Sequence, residues 1–147
     1  MASLRRVILV LGGVLLLFGF GSSSSVAALD HEGYRRIAWT LYPDEPLPDP
    51  DSRSIVVAVH ERNCAGGRDP IRHLQRPEVD YLRKRVIVSL WIEKIEGPAT
   101  CPSNPIGRLR VKLPGRLGAR KLYDGSSDPP RRVKPGEDPD RLRSWSP

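Results

Sequence analysis

Hydrophobic and polar positions alternate most clearly through residues 85–95. Val86, Val88, Leu90 and Ile92 fall on one face, and Ile87, Ser89, Trp91 and Glu93 on the other. Successive side chains of a strand point to opposite faces, so a period of two predicts a strand here. A shorter apolar run at 77–82 precedes the polar pair Arg83-Lys84, and the two runs predict a β-hairpin over 78–95. In 55–60, Ile55, Val57 and Val59 share a face, while Val56 and Ala58 make the opposite face apolar too; this predicts a strand that is central or covered on both sides. Leu109, Val111 and Leu113 alternate with Arg108, Arg110 and Lys112, the pattern of a half-buried or edge strand whose charges discourage edge-to-edge pairing. Residues 119–123 predict a short last strand before an Asp124-Gly125 turn. The chain therefore reads as mostly β, a small antiparallel sheet or sandwich of about five strands.

The flanks are less regular. Tyr34, Ile37, Ala38 and Leu41 lie at helical spacing, so 30–41 predicts a short N-terminal helix. Pro43, Pro46, Pro48 and Pro50 exclude continuous helix or central strand and mark 43–51 as an extended linker. Beyond Gly125, Pro, Arg, Asp and Ser dominate without an apolar period. The expected organisation is an irregular N-terminal segment over 29–54, a β domain over 55–125 and a disordered tail over 126–147. Trp145 has no place in that pattern.

Residues 1–28 carry the order of an export signal. Arg5 and Arg6 are basic, 7–20 is uncharged and apolar, and Val26-Ala27-Ala28 places small residues before a cut after Ala28. The apolar run is short for a spanning helix, which needs roughly 20 apolar residues. The alternative is an uncleaved anchor, the one route by which this sequence would hold a membrane.

Two cysteines, Cys64 and Cys101, lie in loop-like sequence. In an oxidising compartment they pair. An up-down-up meander would bring the end of the first strand and the end of the third to one edge, with the bridge leaning over the start of the second. The competing reading is a catalytic thiol with His60 as its base, four residues before Cys64.

Beyond residue 28 the chain holds 22 basic and 17 acidic residues, a balance of +5. That favours anionic surfaces such as lipid head groups or acidic wall polymers without choosing between them. Arg outnumbers Lys 19 to 5, a bias that a GC-rich coding sequence also produces. The basic residues form no single block, and a nucleic-acid partner is not expected.

The motif pieces His60-Glu61-x-x-Cys64-Ala65-x-Gly67-Arg68, Cys101-Pro102-x-Asn104-Pro105, Leu113-Pro114 and Leu117-Gly118-x-Arg120-x-Leu122-x-Asp124-Gly125 occur in that order. In order and spacing they resemble a family of short secreted proteins, frequent in actinomycete-type bacteria, of unassigned function. The resemblance covers about 56–125 and implies export and a paired cysteine. It brings no catalytic residues.

Glu61, Arg68, Asn104 and Arg120 are the candidate binding residues, because the bridge gathers the loops that carry the first three. Arg68 or Arg120 offers a bidentate fork for an anion, and Gly66-Gly67 lets backbone amides approach it. Alternatively, these polar groups only satisfy loop backbone. His31, His60 and His73 lack metal-ligand spacing, and no known catalytic or cofactor motif occurs. Trp39, Trp91 and Trp145 are candidates for stacking on sugars, Trp91 first, with burial in the core as the alternative. The expectation is an exported, non-enzymatic binding module at the cell envelope without cofactors. A small hydrolase or inhibitor built on the loop cluster, and a scaffold that serves stability alone, are the alternatives.

Overall fold

The computed structural model describes residues 31–138. The export signal expected over 1–28 and Trp145 lie outside the described residues. Within them the chain is almost entirely strands and loops, with a single 3₁₀ turn at Pro70–His73. The strands are β1 (Tyr34–Ile37), β2 (Trp39–Leu41), β3 (Ser54–Val59), β4 (Glu78–Tyr81), β5 (Arg85–Glu93), β6 (Gly107–Lys112), β7 (Lys121–Asp124) and β8 (Arg131–Arg132).

Two small sheets share them. In the larger, β5 pairs with β1, β4 and β7, and β8 adds to β7. In the smaller, β3 lies between β2 and β6. The chain passes from one sheet to the other between Ile37 and Trp39, because β1 pairs with β5 while β2 pairs with β3. The inward faces of both sheets form one core: Trp39, Val57 and Val59 meet Val86, Val88, Leu90 and Ile92, all nearly inaccessible to water. The alternation that predicted β5 thus sorts core from surface. The expected hairpin is present, with Tyr81 opposite Val86 and Glu78 opposite Ser89. β3 is central, as its two apolar faces implied.

Three expectations change. Residues 34–41 form two strands in place of the predicted helix. Ile37, Trp39 and Leu41 point into the core, and over so short a segment the two periods overlap; pairing with β5 and β3 decides. The β domain also extends past its expected limits of 55 and 125. β1 and β2 lie before it, and β8 and the buried Val133 lie in the expected tail. Residues 126–138 are therefore built into the fold, where Val133 donates its amide to the Leu122 carbonyl. Finally, the sheets are not a meander. β3 and β4 belong to different sheets, and β5 and β7 pair in parallel, from Arg85 opposite Lys121 to Val88 opposite Asp124.

The Cys64–Cys101 disulfide is formed, with its Cα atoms 4.2 Å apart. Val59, the last residue of β3, lies opposite Gly107, the first of β6. Cys64 follows β3 and Cys101 precedes β6, so the bridge ties two loops leaving one end of directly paired strands. Gly107 is needed there, since a Cβ would sit 2.5 Å from Ile71 Cδ1 on the 3₁₀ turn.

Candidate functional site

Glu61 lies two residues beyond β3 and is 1% exposed. An ionised carboxylate is costly to bury unless it is paired. Here Arg68 supplies a fork, Nε to Oε2 at 2.7 Å and Nη2 to Oε1 at 2.8 Å, and Arg35 Nη2 adds a third contact to Oε1 at 3.0 Å. The bidentate geometry is that of a strong, oriented charge-assisted pair. Arg68 Nη2 also donates to the Glu93 carbonyl at 2.6 Å, and the Glu93 carboxylate accepts from His73 Nδ1 at 2.9 Å. Donation to Glu61 holds the Arg68 guanidinium above its already high usual range, against the opposing effect of burial. Arg35 reaches this site because it faces away from its neighbours Tyr34 and Arg36 on β1 and lies opposite Ile92.

Asn104 completes the cluster from the other side. Its Nδ2 donates to the carbonyls of Glu61 and Asn63 at 2.6 and 2.8 Å, and its Oδ1 accepts from the Gly67 amide at 3.0 Å. The disulfide repeats the tie a few residues away, and the Gly66 amide donates to the Thr100 carbonyl. Glu61, Arg68 and Asn104 therefore converge as their spacing suggested, but they spend their hydrogen bonds on one another and on loop backbone.

Arg120 does not join them. Its Nε donates to the Leu82 carbonyl at 2.8 Å, its Nη1 reaches the Leu117 carbonyl at 3.3 Å, and its guanidinium carbon lies 4.3 Å from the Tyr81 ring centroid. It locks the loop before β7 to the β4–β5 turn. His60 lies beside the bridged cysteines in an open groove of about 510 Å³ that Asn63, Pro102 and Ile106 also line. Both cysteines are in the disulfide, which removes the thiol reading. Among the described residues no grouping of His, Cys, Asp and Glu could hold a metal ion.

The tryptophans divide. Trp39 is fully buried and donates Nε1 to the Val88 carbonyl at 2.9 Å. Trp91 lies half-buried on the outer face of β5, but its ring stacks on His31 with centroids 3.6 Å apart. The His31 nitrogens are in turn held by Gln75 at 2.9 Å and Glu78 at 3.1 Å, so an internal ring occupies a stacking face of Trp91.

The sequence offered no signal for Arg35, Glu93 and His73 as members of the Glu61 cluster. Nor did it mark Asp124 as more than a turn residue. Asp124 is fully buried; its carboxylate accepts from the Ser126 amide and hydroxyl at 2.9 Å each and from Arg131 Nη2 at 3.4 Å. Burial pushes the carboxyl above its usual range, and these donors only partly oppose it. Arg131 also donates to the Trp39 carbonyl at 3.1 Å, which ties β8 to β2.

The outer face of the larger sheet carries charge that is not spent in this way. Arg85 lies directly opposite Lys121, and Arg83 and Lys84 form the adjacent exposed turn. Among the described residues none of these four has an ion-pair partner. Comparison with protein-family models, curated proteins and solved structures finds no match to this chain.

Proposed function

We propose that the protein is an extracytoplasmic, non-enzymatic binding module that holds an anionic component of the cell envelope. One observation carries this reading: Arg85 and Lys121 stand side by side on paired strands, and neither forms an ion pair among the described residues, although Asp80 lies on the neighbouring strand. Like charges directly opposite one another weaken a sheet, and an anionic partner would relieve that repulsion. Arg83 and Lys84 extend the positive surface, and Arg132 opposite Tyr123 continues it on β8.

Two further features support the reading. The disulfide fits an oxidising compartment, in keeping with the export signal expected over 1–28. The polar groups best suited to chemistry, Glu61 and Arg68, are paired with one another.

The test is co-sedimentation of the purified protein with acidic wall polymer and with anionic-lipid vesicles across a salt series. Exposed charges separated by more than roughly 10 Å are largely screened at 0.1 M salt, so binding should weaken steeply as salt rises. Absence of salt-sensitive binding to either material overturns the reading.

A further inference from the structure

We propose that the groove between the proline-rich segment and β7 is a binding site for an anionic amphiphile, a molecule with an apolar chain and a phosphate-like head. This rests on the envelope-anion reading and gives it a ligand class. The groove has a volume of about 300 Å³. Leu41, Leu117 and Val133, all core residues, form its apolar floor, and Pro48, Pro50 and Pro135 contribute stiff walls. Leu47 stands at its rim and is 58% exposed, more than any other large hydrophobic side chain among the described residues. A large apolar side chain held in water beside an apolar hollow is unfavourable until something covers both.

The lining also carries a positive rim. Arg120, Lys121 and Arg132 line it. Arg120 is fixed by the Leu82 and Leu117 carbonyls, which leaves its charge in place with no carboxylate beside it among the described residues. Lys121 and Arg132 are exposed and have no ion-pair partner among the described residues. The Lys121 amide donates to the Lys84 carbonyl, so this rim runs directly into the Arg83-Lys84-Arg85 turn. The single carboxylate on the lining, Asp49, accepts the Ser52 hydroxyl at 2.9 Å. Apolar floor and cationic rim together select one chemistry: the chain enters the hollow and the head group meets the cations. A soluble polyanion would use the rim and leave Leu47 in water.

The test measures binding of the full chain to monomeric dodecyl phosphate, inorganic phosphate, inorganic polyphosphate, and vesicles of phosphatidylglycerol or phosphatidylcholine. Dodecyl phosphate is expected to bind at least about tenfold more tightly than inorganic phosphate. Leu47→Ser should remove most of that advantage, since burying a leucine side chain alone contributes roughly a tenfold factor. The double variant Lys121→Glu, Arg132→Glu should weaken dodecyl phosphate and phosphatidylglycerol together. Leu47 is exposed, so its variant should keep the parent melting temperature. Equal affinity for dodecyl and inorganic phosphate, or no effect of Leu47→Ser, overturns the groove. Binding to phosphatidylglycerol vesicles without binding to dodecyl phosphate marks adsorption to a charged surface and also overturns it. If polyphosphate or phosphatidylglycerol still binds in those cases, the envelope-anion reading stands alone; if no probe binds, the groove falls, and failure with acidic wall polymer as well overturns the envelope-anion reading too.

Discussion

Arg68 grips the buried carboxylate of Glu61 through two parallel bonds, at 2.7 and 2.8 Å, across only seven residues of chain. The pair closes the loop between β3 and the 3₁₀ turn around the disulfide. It also explains why this cluster, the best candidate for chemistry in the sequence, acts as a tie. Removing one partner strands the other's charge. Glu61→Ala should therefore destabilise the fold by about 3 kcal/mol, near the lower end for a broken buried pair, because Arg68 and Arg35 keep some access to water. Glu61→Gln should cost less. Urea denaturation at neutral pH measures both, and an unchanged midpoint for Glu61→Ala refutes this assignment.

Asn104 serves three backbone groups at once. Asn104→Ala leaves the carbonyls of Glu61 and Asn63 and the Gly67 amide without that partner, and each unsatisfied buried group costs about 1–3 kcal/mol. Partial exposure of the loop lets water replace part of this, so the expected loss is about 2 kcal/mol. Asn104→Asp should also destabilise, since a carboxylate cannot donate to the two carbonyls. Thermal melting of both variants is the measurement, and stability equal to the parent would contradict the geometry.

The Cys64–Cys101 bridge spans 37 residues of sequence. Restricting a loop of that size in the unfolded chain contributes up to about 4 kcal/mol. The double variant Cys64→Ser, Cys101→Ser should lower the melting temperature substantially, and reductant should reproduce the loss in the parent but have no effect on the variant. A mass two hydrogen atoms below the reduced chain under non-reducing conditions checks that the bridge is present.

Asp124 gives a pH dependence of definite sign. Burial raises its folded carboxyl above the ordinary value, with Ser126, Arg131 and the Trp39 amide opposing. The folded state therefore holds this proton more tightly than the unfolded chain does. The resulting stabilisation is complete below about pH 3.9, the unfolded value, and is lost as pH rises through the folded one. Asp124→Asn stays neutral throughout. Its stability relative to the parent should be highest near pH 7 and fall as pH drops toward 4. Denaturation midpoints of the two proteins at matched pH decide the point; a relative stability that rises on acidification would exclude it.

Much of the β architecture was legible from alternation. β3, β4, β5, β6 and β7 lie within two residues of their predicted bounds: β5 and β6 because a half-buried strand must alternate, β3 because a short β-branched run apolar on both faces marks a covered strand. β1 and β2 were not legible, since their few apolar residues satisfy a helical period equally well. β8 has two residues and no pattern at all; it forms because Arg131 finds Asp124 and the Trp39 carbonyl. Three of the four candidate residues do meet, since the disulfide and the short Glu61–Arg68 separation force their loops together. Arg120 belongs elsewhere because its loop leads into β7, at the β4–β5 turn.

The sequence by itself determined which side chains face the core, where the chain turns, and that two cysteines near strand ends would pair. Those properties follow from local period, turn chemistry and covalent bonding, and each is written within a few residues. Only the tertiary structure decided which strands are neighbours, that Glu61 is sealed by arginines from two separate segments, and that Arg85 and Lys121 stand together without an ion pair among the described residues. Strand order and charge pairing depend on contacts between residues far apart in the chain. Alternation says which face a residue occupies, but not whose face it will meet.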